Sequence, residues 1–119
     1  QSVHQLGGYK VQRDEDQLLI DAQAAENAGA FAVVLECIPA DIANHITSEL
    51  KIPTIGIGAG AGCDGQILVI NDLLGITEGQ LPKHVKAYLN LRQQITTAVQ
   101  QFREDVQAGA FPGNDQTFH

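Results

Sequence analysis

The stretch Ala30-Phe-Ala-Val-Val-Leu-Glu36-Cys37 contains the most informative pattern in this chain. Its continuous apolar run predicts a β-strand buried on both faces, as the strands of parallel sheets are. One carboxylate, Glu36, stands where this strand ends. A carboxylate held against an apolar strand end can have its pKa raised and accept a proton from a substrate. For this residue taken alone, an ordinary capping or salt-bridged glutamate is the competing interpretation.

The composition is that of a small globular domain. The chain has 119 residues, of which 44% are hydrophobic, and this is enough to form a core. The net charge of −7, with scattered Lys and Arg, argues against nucleic acid as a partner. No apolar run is long enough to span a membrane and no signal peptide is visible, so we expect a cytoplasmic protein. The opening Gln1-Ser-Val-His4 and the lack of Met suggest a chain that begins within a longer protein.

The two cysteines, Cys37 and Cys63, belong to no C-x-x-C pair. Zinc and redox motifs therefore have no support, and two reduced thiols in a cytosolic protein are expected, with a disulfide left open. A nucleophilic Cys37 would need a neighbouring base or a helix N-terminus. No base is visible, although a helix is predicted to begin at Pro39.

Periodicity and breaker residues divide the chain into alternating helices and strands. Helices are predicted over about 15–29, Pro39–Leu50 and Lys83–Ala108, the last with a break near Asn90. Strands are predicted over Phe31–Glu36, Ile52–Ile57 and Gln66–Asn71. Segments 1–13 and 72–82 are predicted to be irregular, and Gly109–His119 to be extended.

Buried strands alternating with amphipathic helices predict an α/β fold with a parallel sheet. Three strands are too few for a parallel sheet covered on both faces. A (β/α)8 barrel needs about 250 residues. We therefore expect residues 1–119 to be the second, C-terminal half of one barrel domain, with the N-terminal half absent from this chain. In such a barrel, Glu36 would stand at the mouth, where chemistry is done.

A glycine-rich loop runs from Gly56 to Gly65 and loosely matches the dinucleotide fingerprint through Gly56, Gly58 and Ala61. That fingerprint requires a helix to begin at its third small residue, but a strand is predicted here instead. A tight turn at a barrel rim is favoured over NAD binding. A phosphate-binding nest stays open, although the loop lacks the Gly-Lys-Ser/Thr end of a P-loop.

The remaining polar residues give weaker signals. The four histidines are His4, His45, His84 and His119, and no pair among them has metal-ligand spacing. His45 and His84 fall within predicted helices, where a solvated or capping role is favoured over catalysis. Asp64 and Asp72 flank the third strand, where each could reach a barrel mouth or serve a turn. Asp64-Gly65 is a common turn pair, and the turn is favoured there.

Several motifs, in order along the chain, resemble those of the ketopantoate hydroxymethyltransferase family. They are Gln1-Ser-Val-His-Gln-Leu-Gly-Gly-Tyr-Lys-Val-Gln12, Val34-Leu-Glu-Cys-Ile-Pro-Ala40, Ile52-Pro-Thr-Ile-Gly-Ile-Gly-Ala-Gly60, Asp64-Gly-Gln-Ile-Leu-Val69 and Phe111-Pro-Gly113. Each motif alone is weak, but their order makes the resemblance specific over nearly the whole chain. Two positions depart from the family pattern, Arg13 after Gln12 and Gln116 before Thr117-Phe118.

The resemblance implies a (β/α)8 barrel assembled as a homo-oligomer, a decamer in the family. It implies transfer of a hydroxymethyl group from 5,10-methylenetetrahydrofolate to 3-methyl-2-oxobutanoate, giving 2-dehydropantoate on the way to pantothenate and coenzyme A. Glu36 matches the family's proton acceptor. A Mg²⁺ ion holds the keto acid, and its ligands are expected in the N-terminal half, so no metal ligand and no folate-binding residue is assigned here.

Two alternatives accompany this interpretation. One is another metal-dependent 2-keto-acid enzyme of the phosphoenolpyruvate/pyruvate barrel type. The other is a non-catalytic half-barrel that serves as an assembly module. Because the metal site cannot form without the missing half, the isolated 119 residues are expected to be inactive.

Overall fold

The computed structural model describes residues 10–119. The predictions that fall on residues 1–9, including His4, lie outside this range. The described residues divide into two compact units, one of residues 10–69 and 82–85 and the other of residues 70–81 and 86–119. The expectation of one barrel domain over 1–119 stays a prediction. Among the described helices, none has both the length and the apolar character needed to cross a membrane.

The first unit is a parallel sheet with two helices. Helix α1 is Glu15–Asn27, strand β1 is Val33–Glu36, helix α2 is Ala40–Glu49, strand β2 is Thr54–Ile57, and strand β3 is Gly65–Gln66. The strands are parallel and lie in the order β1-β2-β3. The α/β class and the parallel sheet predicted from the sequence are therefore confirmed.

Local signals explain the ends of the first two helices. The Asp14 side chain accepts a hydrogen bond from the Gln17 amide and caps α1, and Glu15 and Asp16 suit the positive end of the helix dipole. At the other end Gly29 adopts φ +95°, a conformation that glycine reaches without steric cost. The sequence predicted Pro39 as the first helical residue of α2, but in the structure Pro39 is the N-cap of this helix.

The core lies between the two helices and one face of the sheet. It contains Ala22 of α1, Leu35 of β1 and Ile42, Ala43 and Ile46 of α2, and Ile46 is completely buried. Helix α1 packs against both β1 and α2.

The opposite face of the sheet differs from the prediction. The β1 run was expected to be buried on both faces, but Val34 is 53% exposed and Glu36 is also exposed. Alternate side chains of a strand point to opposite faces, and α1 and α2 cover only the face that carries Leu35. Phe31, which was predicted to open the strand, precedes it and is exposed.

The second unit contains helix α3, Ile70–Leu73, helix α4, Leu91–Gln107, and a short 3₁₀-helix at Asn114–Gln116. The predicted third strand over Gln66–Asn71 is wrong beyond Gln66, because the chain turns into α3 at Ile70. The 3₁₀-helix likewise replaces part of the predicted extended tail.

The predicted helix over Lys83–Ala108 is correct only from Leu91. Asn90, where a break was expected, is the N-cap of α4, and its side chain accepts from the Gln93 amide. The Tyr88 and Leu91 amides donate to the carbonyls of Leu73 and Leu74. These tertiary hydrogen bonds take the place of helical ones before Leu91. Within α4, apolar side chains recur at helical spacing but stay about half exposed, and they are Ile95, Val99, Phe102 and Val106.

Candidate active site

Glu36 is the last residue of β1, at the carboxyl end of the parallel sheet. It pairs in register with Ile57 of β2, and its side chain is exposed on the face opposite the two helices. Sequence reasoning placed it at the end of its strand, and the structure has it there. Its role as a proton acceptor stays a prediction.

A groove of about 230 Å³ runs along the free edge of β1, between the strand and α1. Its apolar floor includes Val33, Leu35 and Ile46, whereas Gln12, Asp21 and Glu36 supply polar groups. Pockets with an apolar lining and a few placed polar groups are typical of small-molecule sites. Glu36 borders this groove, but its side chain leaves the strand on the face opposite α1.

Gln12 and Asp21 were not singled out from the sequence. Gln12 belongs to a motif that carried the family resemblance, and its backbone amide donates to the Cys37 carbonyl at 2.9 Å. Asp21 occupies a polar position of α1, which a helix pattern alone assigns to solvent. The hydrogen bond of Gln12 to Cys37 and the packing of α1 on β1 bring these two residues to the groove that Glu36 borders, so periodicity offered no signal.

Cys37 follows Glu36 in a conformation that is uncommon for any residue except glycine. Its φ is +52°, and its side chain is buried. Burial raises the pKa of the Cys37 thiol, and the negative charge of Glu36 raises it further. A protonated thiol is a poor nucleophile, so the structure gives a nucleophilic Cys37 no support. Both Cys37 and Cys63 are free thiols, as expected.

The glycine-rich loop lies against the first two turns of α2. A Cβ built on Gly60 would sit 2.5 Å from the Ala40 Cβ, and one on Gly62 would overlap the Asn44 side chain. Glycines here allow the backbone to approach the helix closely. Strand β3 follows the loop, so the helix that a dinucleotide fingerprint needs does not begin there.

The other side of this loop borders a second cavity of about 450 Å³. Gly58 and Gln66 line it together with His84, whose ring lies directly against Gly58. His84 was expected within a helix, but residues 83–89 are not helical, so that expectation was wrong. Its contact with Gly58 joins positions far apart in sequence, and no local pattern could have revealed it.

Asp64 connects the glycine-rich loop to strand β2 through hydrogen bonds. Its carboxylate accepts from the Thr54 amide at 2.9 Å and from the Thr54 hydroxyl at 3.3 Å. Thr54 is completely buried, and its hydroxyl also lies 2.8 Å from that of Thr47 on α2. Asp64 therefore has a structural contact. Asp72, in the second unit, is buried and accepts from the Thr77 hydroxyl.

His45 lies on the surface of α2, away from β1's end, in a cluster of carboxylates. Its Nδ1 is 2.6 Å from Glu15 Oε1, and its Nε2 is 3.7 Å from Glu49 Oε1. The hydrogen bond to Glu15 raises the pKa of His45 above its ordinary value of 6.5. Burial opposes this shift, and the charges of Glu15 and Glu49 add to it. His119 is exposed at the chain end.

The residues described here do not form a metal centre. In the range 10–119, no three His, Cys, Asp or Glu side chains come together in a group that could hold a metal ion. The donor set for the magnesium ion implied by the resemblance is therefore not found among these residues.

Comparisons with known proteins agree with the family resemblance that the motifs carried. The family model of ketopantoate hydroxymethyltransferase matches residues 1–114. A 3-methyl-2-oxobutanoate hydroxymethyltransferase of Desulforapulum autotrophicum is 54% identical over 118 residues, which are 99% of this chain and 45% of that protein. Proteins with the same name from Syntrophus aciditrophicus and Halalkalibacterium halodurans are 57% and 51% identical over 99% of this chain, and it covers 45% and 44% of them. The chain thus spans less than half the length of these relatives, and it belongs to the ketopantoate hydroxymethyltransferase family.

Proposed function

We propose that this chain contributes the proton acceptor and part of the substrate cavity of an enzyme that transfers a hydroxymethyl group to 3-methyl-2-oxobutanoate. The observation that carries the proposal is the position of Glu36, exposed at the carboxyl end of β1 on the face of the sheet opposite the two helices. Family membership supplies the reaction class. The one-carbon donor is 5,10-methylenetetrahydrofolate, and the product is 2-dehydropantoate, a precursor of pantothenate and coenzyme A.

The proposed reaction requires one base. The hydrogen on the substrate carbon next to the ketone is acidic, and the Glu36 carboxylate removes it to leave an enolate. Water adds its oxygen to the one-carbon unit as one C–N bond to the folate breaks. The enolate carbon then bonds to the same carbon as the second C–N bond breaks. Tetrahydrofolate leaves, and its two nitrogens take the proton removed by Glu36 and one proton from the water. A carboxylate performs the proton removal when it lies within hydrogen-bonding reach of the reacting carbon's proton.

We place the sheet in a (β/α)8 barrel whose remaining strands come from polypeptide outside this sequence. Two features support this proposal. The strand order follows the chain order, and both helices of the first unit lie on one face of the sheet. On the other side, Val34 and Ile67 are about half exposed, as expected of side chains that face a barrel interior.

The resemblance supports further parts of this proposal. They are a cytoplasmic location, assembly into a homo-oligomer with a decamer as the family's form, and an N-terminal half of the same protein that completes the site. A bound magnesium ion is also part of the proposal, but the described residues contain no cluster of side chains that could hold it. No step assigned to Glu36 passes through the ion.

The test uses a hybrid enzyme in which these 119 residues replace the aligned section of the Desulforapulum autotrophicum relative. Glu36→Gln keeps the shape of the side chain and removes the base. Its kcat should fall by about 10²- to 10⁴-fold, the usual contribution of a general base. Glu104→Gln, at an exposed glutamate of α4, is the matched control and should leave kcat unchanged.

Full activity of the Glu36→Gln hybrid would rule out Glu36 as the base. Faster turnover of pyruvate or oxaloacetate than of 3-methyl-2-oxobutanoate would favour a different 2-keto-acid enzyme. A hybrid that assembles but never turns over would favour an assembly module. The isolated 119 residues should be inactive, because they span only 45% of the relative and hold no metal cluster in their described part.

A further inference from the structure

The alternation of buried and exposed residues breaks after Cys37, the residue that follows Glu36. Leu35 is buried and Glu36 is exposed, as a regular strand requires, and Cys37 is buried in turn. A continuing strand would expose Ile38, yet Ile38 is only 5% exposed and joins the core. The left-handed backbone at Cys37, with φ +52°, is what turns the chain at this point.

The neighbouring strand turns at the same level. Glu36 pairs with Ile57, and the next residue on each strand, Cys37 and Gly58, has a positive φ of +52° and +66°. Two adjacent parallel strands therefore leave the sheet together through register-matched left-handed residues. We call this pair of residues, Cys37 and Gly58, the paired turn.

Backbone hydrogen bonds hold the paired turn in place. The Cys37 amide donates to the Ile57 carbonyl at 3.0 Å, and the Ile38 amide donates to the Gly58 carbonyl at 3.1 Å. The Cys37 carbonyl accepts from the Gln12 amide at 2.9 Å. The ladder between β1 and β2 thus continues past Glu36, and the backbone on its carboxyl side is bonded to two other segments.

We propose that the paired turn of Cys37 and Gly58 is a positioning device that fixes the direction in which Glu36 points. This inference rests on the proposed function of Glu36 as a base. Non-glycine residues with positive φ are uncommon, and they concentrate at functional sites where the surrounding structure holds them. The direction of a side chain follows from its own backbone. Here the next residue, Cys37, is held by two backbone hydrogen bonds, and a third joins Ile38 to Gly58.

The test compares two substitutions that differ by one methyl group, in the hybrid enzyme. Cys37→Ser keeps an unbranched side chain, which tolerates the left-handed region. Cys37→Thr is β-branched and strongly disfavours it. Both substitutions place a hydroxyl in the buried site, so the free-energy cost of burying it is the same in the two variants. Cys37→Gly is the rescue variant, because glycine adopts a positive φ without cost.

Activity is expressed per keto-acid-binding site, counted by calorimetric titration with 3-methyl-2-oxobutanoate, so that loss of folded enzyme does not count as loss of rate. Cys37→Ser and Cys37→Gly should stay within about 3-fold of the parent in kcat. Cys37→Thr should lose about 10²-fold in kcat, the cost of displacing a reacting group by about 1 Å, with KM nearly unchanged. Equal kcat values for Cys37→Ser and Cys37→Thr would overturn the positioning role.

If Cys37→Thr does not fold, Gly58→Ala, in the other half of the paired turn, tests the positioning role instead. The positioning role requires a drop of about 10-fold or more in kcat there, whereas an unchanged kcat per binding site overturns it. Glu36→Gln separates a failure of the proposed base from a failure of the positioning device. A fully active Glu36→Gln hybrid refutes the proposed base and, with it, the need to position one. An inactive Glu36→Gln hybrid beside an unaffected Cys37→Thr hybrid refutes only the positioning device.

Discussion

Gly58→Ala should destabilise the first unit through two separate effects. The native φ of +66° lies in the left-handed region, and the added Cβ would be 3.0 Å from His84 Cγ and 3.2 Å from His84 Nδ1. Left-handed backbone costs a non-glycine residue roughly 1–2 kcal/mol. Overpacking costs about 1–3 kcal/mol, and the lower end applies because the half-buried His84 ring can shift. The free energy of unfolding should fall by about 2–3 kcal/mol in total.

Gly29→Ala is the matched control for the backbone effect. Gly29 has φ +95° and nothing within 4 Å of a built Cβ, so its substitution brings strain without a contact. The φ of Gly29 is further from the left-handed minimum than the φ of Gly58. Gly29→Ala should therefore cause at least as much backbone strain as Gly58→Ala. Any excess loss in Gly58→Ala therefore comes from His84.

Urea unfolding of the chain, followed by circular dichroism, gives these free energies. A double-mutant cycle with His84→Ala isolates the contact, and removing the ring should recover about 1 kcal/mol of the loss in Gly58→Ala. The packing of His84 on Gly58 would be refuted if Gly58→Ala cost no more than Gly29→Ala and His84→Ala recovered nothing.

Two further predictions concern polar contacts of the first unit. Because its hydrogen bond to Glu15 raises the pKa of His45, protonated His45 stabilises the fold fully below the ordinary pKa of 6.5, and this contribution disappears as the pH rises through the folded-state pKa. His45→Gln should therefore lower the urea midpoint more at about pH 5.5 than at about pH 9, and equal losses would contradict the ion pair. Asp64→Ala leaves the amide of buried Thr54 without its acceptor and should cost about 1–3 kcal/mol, whereas Asp64→Asn, which keeps an oxygen, should cost less. Hydrogen exchange at the Thr54 amide measures this directly, and unchanged protection in Asp64→Ala would show that the contact is dispensable.

The elements predicted well are those with strong local signals. Asp14 and Gly29 mark the two ends of α1, and their effects on the backbone need no distant partner. The prediction of β1 and its terminal Glu36 succeeded because an apolar run bounded by a carboxylate is readable along the chain.

The elements predicted badly depend on partners elsewhere in the chain. The run Ile67–Asn71 is apolar enough for a strand or a buried helix, and periodicity cannot separate the two over so short a length. Residues 83–90 have an amphipathic pattern, but the Tyr88 amide bonds to the Leu73 carbonyl and the chain does not enter a helix until Leu91. Sequence spacing contains no information about such a distant acceptor.

The sequence by itself determined the parallel α/β class, the family and the carboxylate at the strand end, because these depend on residue order and on short-range propensities. Tertiary structure decided which face of β1 is covered, so that Val34 is half exposed where the sequence implied burial. It also decided the left-handed backbone at Cys37 and the approach of His84 to Gly58. A cysteine has no intrinsic preference for positive φ, so hydrogen bonds from β2 and from Gln12, distant in sequence, must hold it there.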